Sequence, residues 1–258
     1  MFRRLLNLLL VVLLAPALFA FIYEGVLFLA AVFSLDATKW FLLGAGLSLV
    51  AYFLMPRKHI EFVENLLHEL EHAALAFAFT FQPPTRMEID IEKGSKVIGP
   101  KGGGCLRALA PYYLPLLTIP FLLLKALGDL AFSLLGAPFP PFLAAALELL
   151  IGATLMLHLL GTAREFRLYQ TDIKKTGYVA SFIGVFFLNF MFVLLCVAVV
   201  TESYAEFLAY IKASLATALE AYKAALEFLK TRVLPIVQGL AETVKGLFGS
   251  KGTPTPAP

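Results

Sequence analysis

The stretch Asn65–Phe79 reads NLLHELEHAALAFAF and places two histidines and two glutamates within five residues before it turns uniformly apolar. A charged side chain at the centre of a bilayer costs about 3 kcal/mol on membrane-insertion scales. Ionisable residues inside membrane segments are therefore rare unless they bind or react with something. Whether this cost applies depends on the class of protein, which the composition of the whole chain indicates.

The composition is typical of a membrane protein. The chain has 258 residues, of which 60% are hydrophobic and 15% charged, and its mean hydropathy is +0.83. Several apolar runs are long enough to cross about 30 Å of hydrocarbon. We predict an all-α polytopic membrane protein with about six membrane segments. The net charge of +3 is small and scattered, which argues against nucleic acid as a partner.

The chain divides into four regions. We expect transmembrane helices in residues 1–58, a membrane core in 59–200, amphipathic helices in 201–249 and a disordered tail in 250–258. The amphipathic helices either lie on the membrane surface or pack against the core, and the sequence leaves both open.

Basic residues flank several of the predicted spans, at Arg3-Arg4, Arg57-Lys58 and residues 164–177. The positive-inside rule places all of them in the cytoplasm. We therefore expect a multi-pass protein of a prokaryotic cell membrane with a cytoplasmic N-terminus. The hairpin region that follows the predicted helix 60–81 is basic too, so either that helix is partly re-entrant or one loop breaks the rule.

Residues 86–104 form the one substantial non-helical stretch, and they follow a helix that the prolines of Gln82–Pro84 should end. Met87, Ile89 and Ile91 alternate with acidic residues, which is the period of a β-strand. Glycines follow at the positions of a turn and of a run before the next span. This pattern predicts a small β-hairpin.

His68-Glu69-Leu70-Glu71-His72 matches the pattern H-E-x-x-H. On a helix, histidines four residues apart lie on one face and can bind one metal ion, while the intervening Glu69 can take a proton from the water that a zinc ion activates. We predict that His68 and His72 bind Zn²⁺ and that Glu69 is the catalytic base. The competing interpretation is a wet or internally packed polar face with no metal.

A catalytic zinc ion usually has three protein ligands and one open position. The sequence offers five candidates for the third ligand: Asp172, His158, Glu148, Glu71 and Glu64.

HELEHA at 68–73, a short strand region ending in a glycine run, and LAPYYLP at 109–115 together resemble the site-2 protease-like intramembrane zinc metalloproteases. The resemblance covers roughly residues 60–195. In that family an aspartate on a later membrane segment completes the zinc site, which implies Asp172 here, with His158 as the alternative.

This sequence departs from the family at two places. The family usually has glycine where Glu71 stands, and its aspartate commonly lies in an N-x-x-P-x-x-x-x-D-G-like setting, whereas this chain reads QTDI. We expect Glu71, together with Glu64, to hold a ligand imidazole from outside the metal shell, because such sites normally place a carboxylate there.

The resemblance implies an intramembrane zinc endopeptidase whose partners are the lipid bilayer and membrane-embedded protein substrates. The strand with Met87, Ile89 and Ile91 would hold an extended substrate by strand addition. The alternative is a non-proteolytic metal-binding membrane protein, such as a transporter or a pseudoprotease scaffold. A di-iron oxidase is disfavoured, because the chain has only four histidines and one E-x-x-H motif.

Overall fold

The computed structural model describes residues 2–88, 96–98, 104–167 and 170–249, and these residues are almost entirely helical. In chain order the elements are α1 Phe2–Val32, α2 Leu35–Leu54, α3 Arg57–Thr80, β1 Arg86–Glu88, β2 Lys96–Ile98, α4 Gly104–Tyr113, α5 Thr118–Leu134, α6 Pro141–Glu165, α7 Thr171–Thr176, α8 Tyr178–Val200, α9 Tyr204–Phe228 and α10 Leu234–Gly249. The predicted all-α membrane class is confirmed. The predicted tail, residues 250–258, lies outside the described residues.

Four of the described helices are long and apolar enough to cross a membrane: Leu14–Val32 within α1, α2, α6 and α8. Helices α4 and α5 count as a fifth span if they are taken together across their 75° bend. Pro115 lies in the break between them, where it cannot donate a backbone hydrogen bond and clashes with the preceding turn. The proline therefore accounts for the bend between α4 and α5.

Helix α3, which the sequence analysis included among about six membrane segments, is not one of these spans. Its first half carries the ionisable residues of the H-E-x-x-H stretch and, further upstream, Glu61 and Glu64. Its last turn ends at Phe81, which adopts a left-handed conformation with φ 53° just before Pro83 and Pro84. The C-terminal boundary therefore agrees with the predicted stop.

The long helices pack with a definite polarity. Phe21 of α1 meets Phe187 of α8 at 5.4 Å between ring centroids, and Gly25 lies against Phe190 and Leu194, so α1 and α8 run parallel. Asp36 at the start of α2 and Glu148 early in α6 line one cavity together with residues at the end of α8. The bundle therefore has one end, here called the site end, where α1 and α8 begin and where α2 and α6 finish.

Helices α2 and α6 are in direct backbone contact. A Cβ atom on Gly44 would collide with the backbone of Leu149, and one on Gly152 would collide with the backbone of Phe41. Small residues permit such close approach, which is a main source of helix association in membranes. This contact fixes the end of α6 beside the end of α2 and the start of α3.

Helix α9 packs on the core, which decides between the two arrangements that the sequence left open for it. Phe207 meets Phe28 of α1 at 5.9 Å between ring centroids, and Tyr210 is buried in the same cluster. Thr217 donates to Glu24 at 2.8 Å, so this charge within the first span has a partner. In α10, by contrast, apolar residues such as Ile236 and Leu240 are more than half exposed.

The two short strands pair in antiparallel register, with Arg86 opposite Ile98 and Glu88 opposite Lys96. Thr85 extends the pairing through its backbone N–H, which donates to the Ile98 carbonyl at 2.8 Å. Of the residues predicted to bind substrate, Met87 lies in β1, whereas Ile89 and Ile91 lie outside the described residues. The structure thus describes only the base of the predicted hairpin.

We predict that Gly44→Ala destabilises the protein by about 1–3 kcal/mol, because the added methyl group overpacks the α2–α6 contact. The control is Gly46→Ala on the same helix, where a new Cβ meets nothing within 4 Å. Alanine favours a helix over glycine, so this control should be neutral or stabilising. Thermal unfolding in detergent measures both, and equal stability of the two variants would contradict the prediction.

Candidate metal centre

The two histidines of α3 meet the aspartate of α7 at the site end of the bundle. The Nε2 atom of His72 lies 3.6 Å from Oδ2 of Asp172, and Nε2 of His68 lies 4.0 Å from the same oxygen. One ligand atom from each of the three residues lies within 4.8 Å of the others. Among the described residues, no other group of three or more His, Cys, Asp or Glu side chains meets this condition.

These separations are close to those of a tetrahedral zinc site. Ligand atoms at about 2.0–2.1 Å from zinc lie roughly 3.3–3.4 Å from one another. The observed distances of 3.6 and 4.0 Å exceed this by a few tenths of an ångström.

The second ring nitrogen of each histidine has a partner outside the cluster. Nδ1 of His68 lies 2.8 Å from Oε2 of Glu165, and Nδ1 of His72 lies 2.8 Å from the carbonyl oxygen of Arg107. A carbonyl oxygen and an ionised carboxylate only accept hydrogen bonds, so both Nδ1 atoms donate. A ring held through Nδ1 binds a metal through the lone pair on Nε2, and in both histidines Nε2 is the nitrogen nearest Asp172.

The carboxylates also set the charge of the site. Burial by itself would lower the pKa of His68, but the hydrogen bond and charge of Glu165, with the charges of Glu69 and Asp172, raise its pKa above the ordinary value. The cluster therefore attracts positive charge. This electrostatic preference, together with the donor set, fits a divalent cation such as Zn²⁺.

Glu69, the predicted catalytic base, is buried beside His68 on α3. Its charge is one of those that raise the pKa of the His68 ring. An α-helix turns about 100° per residue, so Glu69 leaves α3 at an angle to the face that His68 and His72 share.

The expected role of Glu71 is corrected by the structure. Its Oε1 atom lies 3.6 Å from Nδ1 of His158, and burial raises the pKa of Glu71 to about 9 although the backbone N–H of Leu116 opposes the shift. Glu71 therefore contacts His158 on α6 and lines one small cavity with His158 and His68. Glu165 and the Arg107 carbonyl hold the two imidazoles instead.

Glu64, expected in the same role, is also placed elsewhere. It accepts hydrogen bonds from the Tyr52 hydroxyl at 2.7 Å and from Arg164 at 2.6 Å. Arg164 also binds Glu61 at 2.9 Å. This network ties the start of α3 to the ends of α2 and α6, so its function is to position α3.

The remaining candidates for third ligand do not join the histidines. His158 is buried in α6 against Glu71, with a cavity of about 30 Å³ between it and His68. Glu148 lines a cavity at the opposite end of the bundle with Asp36 and Glu202. Of the five residues considered from sequence, the structure brings only Asp172 to the Nε2 atoms.

Sequence reasoning missed two residues of the site. Glu165 lies 97 positions from the histidine that it contacts. Tyr112 packs edge-on against His68 at 5.8 Å between ring centroids. The only signal for Glu165 was its place in the polar segment after a predicted span, and Tyr112 was noted only as part of LAPYYLP.

We predict that His68→Ala, His72→Ala and Asp172→Ala each abolish stoichiometric zinc binding, since each removes one of three ligands. His158→Ala should keep its zinc. His59→Ala is the matched control, because His59 is exposed on the same helix. Mass spectrometry of the purified proteins measures their zinc content. If His158→Ala lost its zinc and Asp172→Ala kept it, His158 and not Asp172 would be the third ligand.

We further predict that Glu165→Gln lowers zinc affinity about 10- to 100-fold, because a neutral amide orients the His68 ring without raising its basicity. Competition with a chelator of known affinity measures the change. Glu220→Gln, at a side chain that is 70% exposed, serves as the control. Unchanged affinity in Glu165→Gln would show that this contact does not support metal binding.

Comparison of the chain with protein-family models, with curated proteins and with solved structures gives no match. The similarity to site-2 protease-like enzymes therefore rests on the residues quoted from the sequence and stays a prediction. What the structure contributes is the geometry of His68, His72 and Asp172.

Proposed function

We propose that this protein is an intramembrane zinc metalloprotease that hydrolyses peptide bonds of membrane-anchored proteins. The observation that supports this most strongly is the convergence of His68, His72 and Asp172 with both Nδ1 atoms held from outside. Two histidines and one carboxylate are a common ligand set of catalytic zinc and leave one coordination position open.

A zinc ion bound here would polarise the substrate carbonyl and lower the pKa of its water to about 7. In the proposed reaction, Glu69 accepts a proton as the water oxygen bonds to the peptide carbon. Glu69 then returns this proton to the leaving nitrogen as the C–N bond breaks. One water molecule is consumed, and a carboxylic acid and an amine are released.

The position of the cluster in the bundle supports hydrolysis in particular. Glu165 is the last residue of the α6 span, and Asp172 lies on α7 just before the α8 span begins. An open cavity of about 330 Å³, lined by residues that include Glu64, Arg164 and Glu165, lies on the outer side of this region. This cavity brings water to Glu165, whose carboxylate contacts His68, and hydrolysis needs water near the cluster.

The bundle polarity supports a cytoplasmic position for the site. The ends of α2 and α6, where Arg57 and Arg164 lie, and the start of α8 share the site end. Under the positive-inside rule this end, together with the N-terminus of α1, faces the cytoplasm. Because α3 is not among the candidate spans, its two basic flanks need not lie on opposite sides of the membrane.

The paired strands give the proposed substrate a place to bind. β1 and β2 form a two-stranded sheet in contact with α3, and each outer edge of such a sheet can accept another strand. Strand addition would hold a substrate extended, which peptide-bond hydrolysis requires. Under this proposal Met87 and, beyond the described residues, Ile89 and Ile91 contact the substrate.

The test is Glu69→Gln in proteoliposomes that contain single-span model proteins, with mass spectrometry of new termini as the readout. We expect full zinc content and a loss of cleavage of at least about 10³-fold, because the variant cannot accept the proton. The Glu220→Gln variant should cleave like the wild type. A fully active Glu69→Gln protein would exclude this mechanism, and a zinc-loaded wild type that cleaves none of the model proteins would favour the non-proteolytic alternative.

A further inference from the structure

Tyr112 of α4 is a fully buried tyrosine at the edge of the metal centre, and its hydroxyl has no hydrogen-bond partner among the described residues. Its ring packs edge-on against His68 at 5.8 Å and against Phe166 at 5.4 Å between centroids. A buried hydroxyl without a partner is disfavoured and is uncommon in native proteins. Such a group beside a catalytic cluster indicates a donor that serves a ligand.

The backbone of Tyr112 is held firmly in place. Its carbonyl oxygen accepts a hydrogen bond from Nδ2 of Asn189 at 2.6 Å and one from Thr162 at 3.4 Å. Asn189 also donates to the carbonyl of Val185 within α8, which fixes the amide orientation. The chain thus anchors Tyr112 to both α6 and α8 while it leaves the phenol hydroxyl unpaired.

The hydroxyl lies close enough to Asp172 and Glu165 for both carboxylates to act on it electrostatically, although it bonds to neither. These are the residues that, with His68, form and support the metal centre. The adjacent Tyr113 differs, because its hydroxyl donates to the Leu106 carbonyl at 3.2 Å. Of these two neighbouring phenols, only Tyr112 packs its ring against His68 and has a hydroxyl without a partner among the described residues.

We propose that the Tyr112 hydroxyl donates a hydrogen bond to the carbonyl oxygen of the scissile peptide, where negative charge develops during hydrolysis. This inference rests on the proposed protease function and adds a catalytic residue to it. The phenol keeps its proton throughout, so no bond forms or breaks at Tyr112. A preorganised donor at such an oxygen is typically worth about 10²- to 10³-fold in kcat.

A purely structural role for the hydroxyl makes a different prediction. Removal of a buried hydroxyl that pairs with a protein group would leave that group unsatisfied and destabilise the fold. Tyr112 pairs with no described group, so Tyr112→Phe should unfold at the same temperature as the wild type or slightly higher. The unfolding temperature of Tyr112→Phe and its affinity for a ligand therefore distinguish a structural role of the hydroxyl from a role in ligand binding.

The experiment uses the cobalt-loaded full-length protein in detergent, because the visible absorption of Co²⁺ reports ligands that enter its coordination shell. Acetohydroxamic acid is the probe, since it binds metals through a carbonyl oxygen. We expect Tyr112→Phe to bind one Co²⁺ per chain, as the wild type does, and to bind acetohydroxamate about 10- to 100-fold more weakly. Tyr113→Phe is the matched control and should bind the probe like the wild type.

Each outcome decides the proposal. Equal acetohydroxamate affinity in Tyr112→Phe and wild type would overturn it, and so would a loss of cobalt or of thermal stability in that variant. A weaker affinity in Tyr112→Phe alone supports a hydrogen bond from Tyr112 to a metal-bound carbonyl oxygen. If the wild type then cleaved no model protein, the protease function would be disfavoured, and Tyr112 would be assigned to ligand binding in place of catalysis. A wild type that binds no cobalt would overturn both.

Discussion

The arrangement of this protein depends on how the polar face of α3 is satisfied inside an apolar bundle. Polar groups removed from water need partners, and the penalty for an unpaired charge exceeds that of most packing defects. Glu64 meets this requirement through Tyr52 of α2 and Arg164 of α6, and His68 meets it through Glu165. These contacts hold α3 at the site end of the bundle, with its histidines directed toward α7.

Helix α6 connects packing to chemistry. Its glycine at position 152 lies against the α2 backbone, and its last two residues, Arg164 and Glu165, bind α3. Because a helix is rigid over this length, the close contact in the middle determines where the final turn lies. Helix α8 contributes in a similar way through Asn189, which fixes the backbone of Tyr112. The candidate metal centre is thus built on rigid elements, as precise ligand geometry requires.

The opposite end of the bundle shows what a structural polar network looks like in the same protein. Lys125 is fully buried, and it contacts Asp129 at 2.7 Å and Glu202 at 3.1 Å, while Tyr204 donates to Asp129. One buried ammonium thus pairs with two carboxylates, and the network joins α5 to the turn between α8 and α9. At the site end, by contrast, like-charged carboxylates gather around two histidines and a hydroxyl lies unpaired. A cluster of carboxylates and histidines beside a hydroxyl without a hydrogen-bond partner is suited to bind a cation and a polar group of a substrate.

The sequence by itself determined the membrane class, the face shared by His68 and His72, and the end of α3 before the two prolines. These features depend on composition or on helical periodicity, which act over a few residues. Only the tertiary structure decided that Asp172 and not His158 meets the histidines, and that Glu165 takes the role expected for Glu71. Those outcomes depend on contacts between residues about a hundred positions apart, which the backbone contact of α2 with α6 and the short turn of α7 bring together.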